Sequence, residues 1–176
     1  MKRFGRLLLY AAAFLAALML FAPKANLYYL LEEQLRPLGV VIGGETLRDT
    51  GFCLEIDGGT LYAKQIESAS AERVTVGLFG AYNRVTIEKM QLAKALEKLW
   101  PAQIERADAL LALWDPLHLT IDAEGDFGTL RAVIALDARS IDARIVPSQL
   151  MLKRYGATLR QLKKDETGGY HYESRF

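Results

Sequence analysis

Groups that do chemistry are scarce in this chain of 176 residues, which has one cysteine, Cys53, and two histidines, His118 and His171. A single thiol forms no intrachain disulfide and no cysteine-type zinc site. The sequence contains no G-x-S-x-G elbow, no H-E-x-x-H, no Gly-rich phosphate loop and no C-x-x-C. Charge of one sign is also missing: the formal net charge is +1, so no strong field points to nucleic acid. No repeat of fixed period and no low-complexity linker divides the chain. The composition, 51% apolar and 24% charged, excludes a disordered tail and predicts a packed protein.

What is present begins with an apolar run from Leu7 to Ala22 behind Lys2, Arg3 and Arg6, with no acid before Pro23. The rest of the chain holds 19 of the 22 lysines and arginines and all 21 acids. Two readings compete for the run, a cleaved signal peptide and an uncleaved anchor. Cleavage needs an A-x-A pattern after the run, and Phe21-Ala22-Pro23 does not supply one. The expectation is therefore a single transmembrane anchor within residues 1–25. The basic start places the N-terminus in the cytoplasm and residues 26–176 across a bacterial inner membrane, in the periplasm.

Beyond the run, Asn26 is a plausible N-cap for a helix ending near Pro37. The period then changes to two. Phe52, Leu54 and Ile56 alternate with Cys53, Glu55 and Asp57, and Asp57-Gly58-Gly59 is a hairpin signal. Val74, Val76 and Leu78 lead through Gly80-Ala81-Tyr82-Asn83 to Val85 and Ile87. Leu92–Trp100 reads as a short helix closed by Pro101, while 102–114 fits a helix or an edge strand. Leu117, Leu119 and Ile121, then Leu130 to Leu136 and Ile141 to Ile145, resume the alternation around a turn at Glu124–Gly128. Pro147-Ser148 opens a second helix to about Lys164, and Tyr170–Phe176 is a last strand with Tyr170, Tyr172 and Phe176 on one face. The predicted class is α+β, mainly antiparallel β, after a single N-terminal transmembrane helix. A curved sheet, a meander or a half-sandwich all satisfy it.

The candidate sites read weakly. His118 and His171 fall on polar strand faces beside Asp122 and Glu173, which describes a solvated surface better than a proton relay. Asp122, Glu124 and Asp126 alternate as calcium ligands do, but an EF-hand register from Asp122 puts Phe127 where Gly is needed and Val133 where Glu is needed. A turn explains the same residues. Nearby acids disfavour the Cys53 thiolate, leaving it a packing role. Residues 148–164 are basic and amphipathic, fitting an anionic surface or, more simply, a helix packed on the sheet. No catalytic, cofactor-binding or metal residue is assigned, no cofactor is expected, and the chain reads as a non-enzyme.

The order of these features resembles the type II secretion protein N (GspN) family and its AsmA-like relatives. Three stretches carry the likeness: Gly59-Thr60-Leu61-Tyr62-Ala63, Pro116–Ile121 leading to Gly125-Asp126-Phe127-Gly128, and Leu162–Asp165 through Gly169–Glu173. The resemblance implies a membrane-anchored accessory of an envelope assembly such as type II secretion, binding other envelope or secretion proteins. The sheet edges near Val40–Ile42 or Tyr170–Phe176 would carry that contact. The alternative it implies is an AsmA-like lipid-binding or lipid-transport module. A lipid groove would be apolar along its length and open, whereas a protein-binding module would close its core and offer an edge strand.

Overall fold

The computed structural model describes residues 2–21, 23–79, 82–94, 100–165 and 168–176. The alternating segments form one antiparallel sheet. Its strands are β1 (Val40–Gly43), β2 (Thr46–Asp49), β3 (Cys53–Ala63), β4 (Ile66–Leu78), β5 (Tyr82–Leu92), β6 (Gln103–Ala112), β7 (Asp115–Gly125), β8 (Gly128–Ala135), β9 (Ser140–Pro147), β10 (Lys163–Lys164) and β11 (Tyr170–Arg175). The order is β1-β3-β4-β5-β6-β7-β8-β9-β11-β10, with β2 also pairing β3. It is a meander: strands from β3 to β9 pair with their neighbours in chain order, and the sheet stays open.

Two helical elements flank the sheet. Helix α1 (Lys2–Phe21) is separated by Pro23 from α2 (Lys24–Leu35), which continues into a 3-10 turn at Arg36–Leu38. At the other end of the strand order, α3 (Gln149–Arg154) and α4 (Gly156–Leu159) fill the connection from β9 to β10. Ser148 caps α3, its hydroxyl accepting the Met151 N–H at 3.1 Å.

The mainly antiparallel sheet is as expected, but the membrane-spanning helix placed before it is not found. Among the described residues no helix is long and apolar enough to cross a membrane. The physical reason lies in the length of the uncharged helix and in the residues just after it. The first turns of α1 carry Lys2, Arg3 and Arg6, leaving an uncharged stretch from Leu7 to Phe21 that rises about 22 Å against a hydrocarbon core of about 30 Å. Extension beyond Pro23 is blocked, because Lys24 is buried and paired with Asp49 of β2 at 3.6 Å. The reading of Leu7–Ala22 as an anchor in the inner membrane is therefore corrected. With it goes the single-pass placement with a cytoplasmic N-terminus and a periplasmic bulk.

Several local expectations also change. Asn26 lies inside α2, whose N-cap is Pro23. Asp57-Gly58-Gly59 is no hairpin: β3 runs through it with Gly58 at φ 62°, and the turn falls at Lys64-Gln65, both with positive φ. The ambiguous 102–114 segment is the strand β6. The single helix over 148–164 is broken at Tyr155, and its end becomes β10. The short helix expected at Leu92–Trp100 falls largely on residues 95–99, outside the described residues; Leu92 itself ends β5. Gly80 and Ala81 of the turn expected before Val85 also lie outside them. The Glu124–Gly128 turn is present, but Phe127 within it points inward and is 2% exposed. Gly128 is forced there, since its φ is 109° and a Cβ would meet the Val146 carbonyl oxygen at 2.1 Å.

Candidate functional site

The alternation gives the sheet two unlike faces, and the registers carry each across the strands. On one face a row runs Leu54, Val76, Val85, Ala109, Ile121, Ala132, Ala143, Tyr172, each residue opposite the next. Seven steps at the usual strand spacing make this row about 34 Å long. A parallel row runs Ile56, Val74, Ile87, Ala107, Ala123, Leu130, Ile145, Tyr170. No charged side chain interrupts either row.

Among the described residues, the two core clusters cover this face towards its ends. Tyr28 of α2 packs on Leu54 and Ile56, with Ile42, Leu47, Val74 and Val76 around them. At the far end Met151 and Leu159 from α3 and α4 bury Phe127 against Ile104, Ala123, Leu130 and Tyr170. Between them, Val85, Ile87, Ala109 and Ile121 belong to neither cluster and stay half-buried. A cavity of about 230 Å³ lies where α2 leaves the sheet, lined by Tyr28, Ile42, Ile56, Leu61, Ile87 and Met90 among others, none of them charged. The Tyr28 hydroxyl donates to Glu45 Oε1 at 3.1 Å. Burial, reinforced by that bond and the Glu45 charge, pushes the phenol well above its usual range, so it stays a neutral hydrogen-bond donor.

The opposite face is laced with ion pairs. Arg73 meets Asp57 at 2.8 Å, Arg131 meets Asp122 at 3.1 Å, and Arg48 pairs with Glu55. Asp108 accepts from Arg106, Thr86 and Arg84. Burial opposes its ionisation, but those bonds outweigh it and hold the carboxyl below the usual carboxylate range.

The residues singled out from the sequence lie on this charged face or at its rim, and the fold does not gather them. His118 Nδ1 lies 2.6 Å from Asp115 Oδ1, not beside Asp122. His171 is 3.6 Å from Asp142 on β9. Asp122 is spent on Arg131. Cys53 is half-buried at the start of β3. Among the described residues no group of three histidines, cysteines or acids could hold a metal. The basic stretch at 148–164 contributes Met151, Tyr155, Leu159 and Leu162 to the far cluster, and Arg144 takes Asp165 beside it. Tyr172 and Phe176, expected to pack with Tyr170, are exposed; Tyr170 alone joins the cluster. Sequence reasoning missed Tyr28 and Glu45, which stand 17 residues apart with no local signal linking them.

No family model, no curated protein and no solved structure matches this chain.

Proposed function

We propose that this chain holds the acyl chains of lipids along the uncovered apolar face of its sheet, as a binding module and not an enzyme. The observation that carries the reading is the continuous pair of apolar rows whose middle no helix covers among the described residues. Monomeric proteins rarely leave contiguous apolar surface beyond a few hundred Å² without a use for it. An acyl chain suits such a floor because it brings no donor or acceptor. A peptide laid across the same face would carry N–H and C=O groups with nothing to satisfy them. The other expectation, an assembly component working through its edges, calls for a closed core, and the open middle favours lipid over it.

Photo-crosslinking tests the reading. A photoreactive residue at Ile87 or Ile121, on the apolar face, is compared with one at Thr75 or Thr120, on the charged face, in the full chain expressed in cells. Lipid adducts at the first pair and none at the second are expected. Absence of lipid at Ile87 and Ile121, or capture of protein there instead, overturns it.

A further inference from the structure

The two ends of the strands differ in a way the apolar face alone does not require. At the end where the β3–β4 and β7–β8 turns lie, the turn residues themselves are Lys64-Gln65 and Asp126-Phe127, with Phe127 turned into the core, and the exposed apolar side chains there, Leu38, Ile66 and Val146, stand outside those turns. At the opposite end every connection presents an exposed apolar side chain to solvent. Phe52 precedes β3, and Phe79 stacks on Tyr82 at 5.1 Å between β4 and β5. Leu113 and Trp114, 71% and 74% exposed, form the β6–β7 turn, Leu136 begins the β8–β9 turn, and Phe176 ends the chain. The registers Leu78↔Asn83, Tyr82↔Ala112, Ala112↔Asp115, His118↔Ala135 and Arg175↔Ser140 put all of these on one rim. Helix α1 leaves the domain from this same rim: a Cβ on Gly51 would touch Leu20 at 2.6 Å, and Phe14, Leu15 and Phe21 are exposed.

We infer that this rim docks on a lipid bilayer surface, with Trp114 and its neighbours entering the headgroup layer. The partner is a lipid surface and not a protein patch on three grounds. The apolar side chains are strung in ones and twos along a row of turns, between polar residues such as Asp115, Asp137 and Arg139, where a protein hot spot would gather them into one central cluster. Tryptophan and tyrosine at such a rim have an apolar body and a polar tip, the form that settles at a bilayer interface. The apolar rows of the sheet run up to the rim, where Leu119, Ile134 and Ile141 lie opposite one another on that face. A docked rim thus sets the open face beside the acyl layer. The inference deepens the lipid-holding reading and rests on it for the cargo, though not for the docking itself.

The chain contains two tryptophans, which makes the docking directly readable. Trp100 packs on Phe127 in the far cluster, with ring centroids 5.7 Å apart, so Trp100→Phe leaves Trp114 as the only indole reporter. The full chain with that change is mixed with vesicles of phosphatidylcholine, with and without phosphatidylglycerol. Emission from Trp114 is expected to shift to the blue and to be quenched by lipids brominated on their acyl chains. A triple change, Leu113→Ser, Phe79→Ser and Phe176→Ser, is expected to lower vesicle co-sedimentation at least several-fold with an unchanged circular dichroism spectrum. Failure to co-sediment, or co-sedimentation with Trp114 emission unmoved and the triple variant binding as before, overturns the inference. Trp114 quenching without lipid adducts at Ile87 or Ile121 would keep the docking and remove the cargo reading, so the two fail separately.

Discussion

At the scale of single residues, both histidines are engaged with a neighbouring aspartate. His118 shows what such a pair does. Its Nδ1 lies 2.6 Å from Asp115, and the hydrogen bond first, with the carboxylate charge second, raises the imidazole pKa above its usual value. Because the folded-state pKa is the higher one, the contribution to stability is fully present below the unfolded value of about 6.5. It is lost as the pH rises through the raised folded value. A proton NMR titration should therefore place the His118 midpoint above about 6.5, and Asp115→Asn should bring it back down. A midpoint indifferent to Asp115→Asn would mean that the contact is not made in solution. The effect on global stability is small, since the pair is solvated.

Among the secondary elements, the strands and the helix before β1 were legible, and the extent of the later helices was not. Period-two alternation in Leu54–Ile56, Val74–Leu78 and Leu117–Ile121 reports burial on one face, and nothing distant overrides it. Turn chemistry was less secure. Asp57-Gly58-Gly59 carries a hairpin signature, yet Arg73 on β4 ties Asp57 into the ladder and Gly58 is absorbed within the strand. A long amphipathic pattern likewise overstated the helix at 148–164. Gly156 and the packing of Leu159 and Leu162 on the far cluster bend the chain after Tyr155. The start of α3 was legible, because a Ser before an apolar stretch satisfies a free N–H. Ser148 also donates its hydroxyl to the Asp126 carbonyl oxygen, tying the helix to the β7–β8 turn. Ser148→Ala should lose both bonds, costing about 1–2 kcal/mol. A melting temperature lowered by about 2–8 °C would report that loss. An unchanged melting curve would show that the two Ser148 bonds add nothing to the fold.

For the whole molecule, the decisive property is which part of the apolar face is covered, and alternation cannot express that. A strand reading Leu-x-Ile has the same pattern whether a helix, a lipid or water lies over it. The length of the first apolar run misled for a related reason. Its composition favoured a span, while the basic first turns and the burial of Lys24 limit the uncharged helix to Leu7–Phe21. The uneven cover makes a quantitative expectation possible. Met151 is fully buried in the far cluster, so Met151→Ala removes transferred surface and leaves a cavity, a loss of about 2–5 kcal/mol. Ile121 sits mid-sheet, half-buried and outside both clusters. Ile121→Ala removes three carbons that are about half transferred from water, and there is no enclosing wall to leave a void. At ~0.8 kcal/mol per fully buried carbon the loss is about 1 kcal/mol. A closed core would treat the two substitutions alike. Denaturant titration of both variants with lipid extracted beforehand should therefore give a gap of at least about 1 kcal/mol between them. Adding fatty acid should then stabilise the unmodified chain more than Ile121→Ala, because a ligand bound by the folded state adds stability that grows with the logarithm of its concentration over Kd, and the truncation raises Kd. Equal losses in the two variants would mean that the middle of the sheet is covered after all.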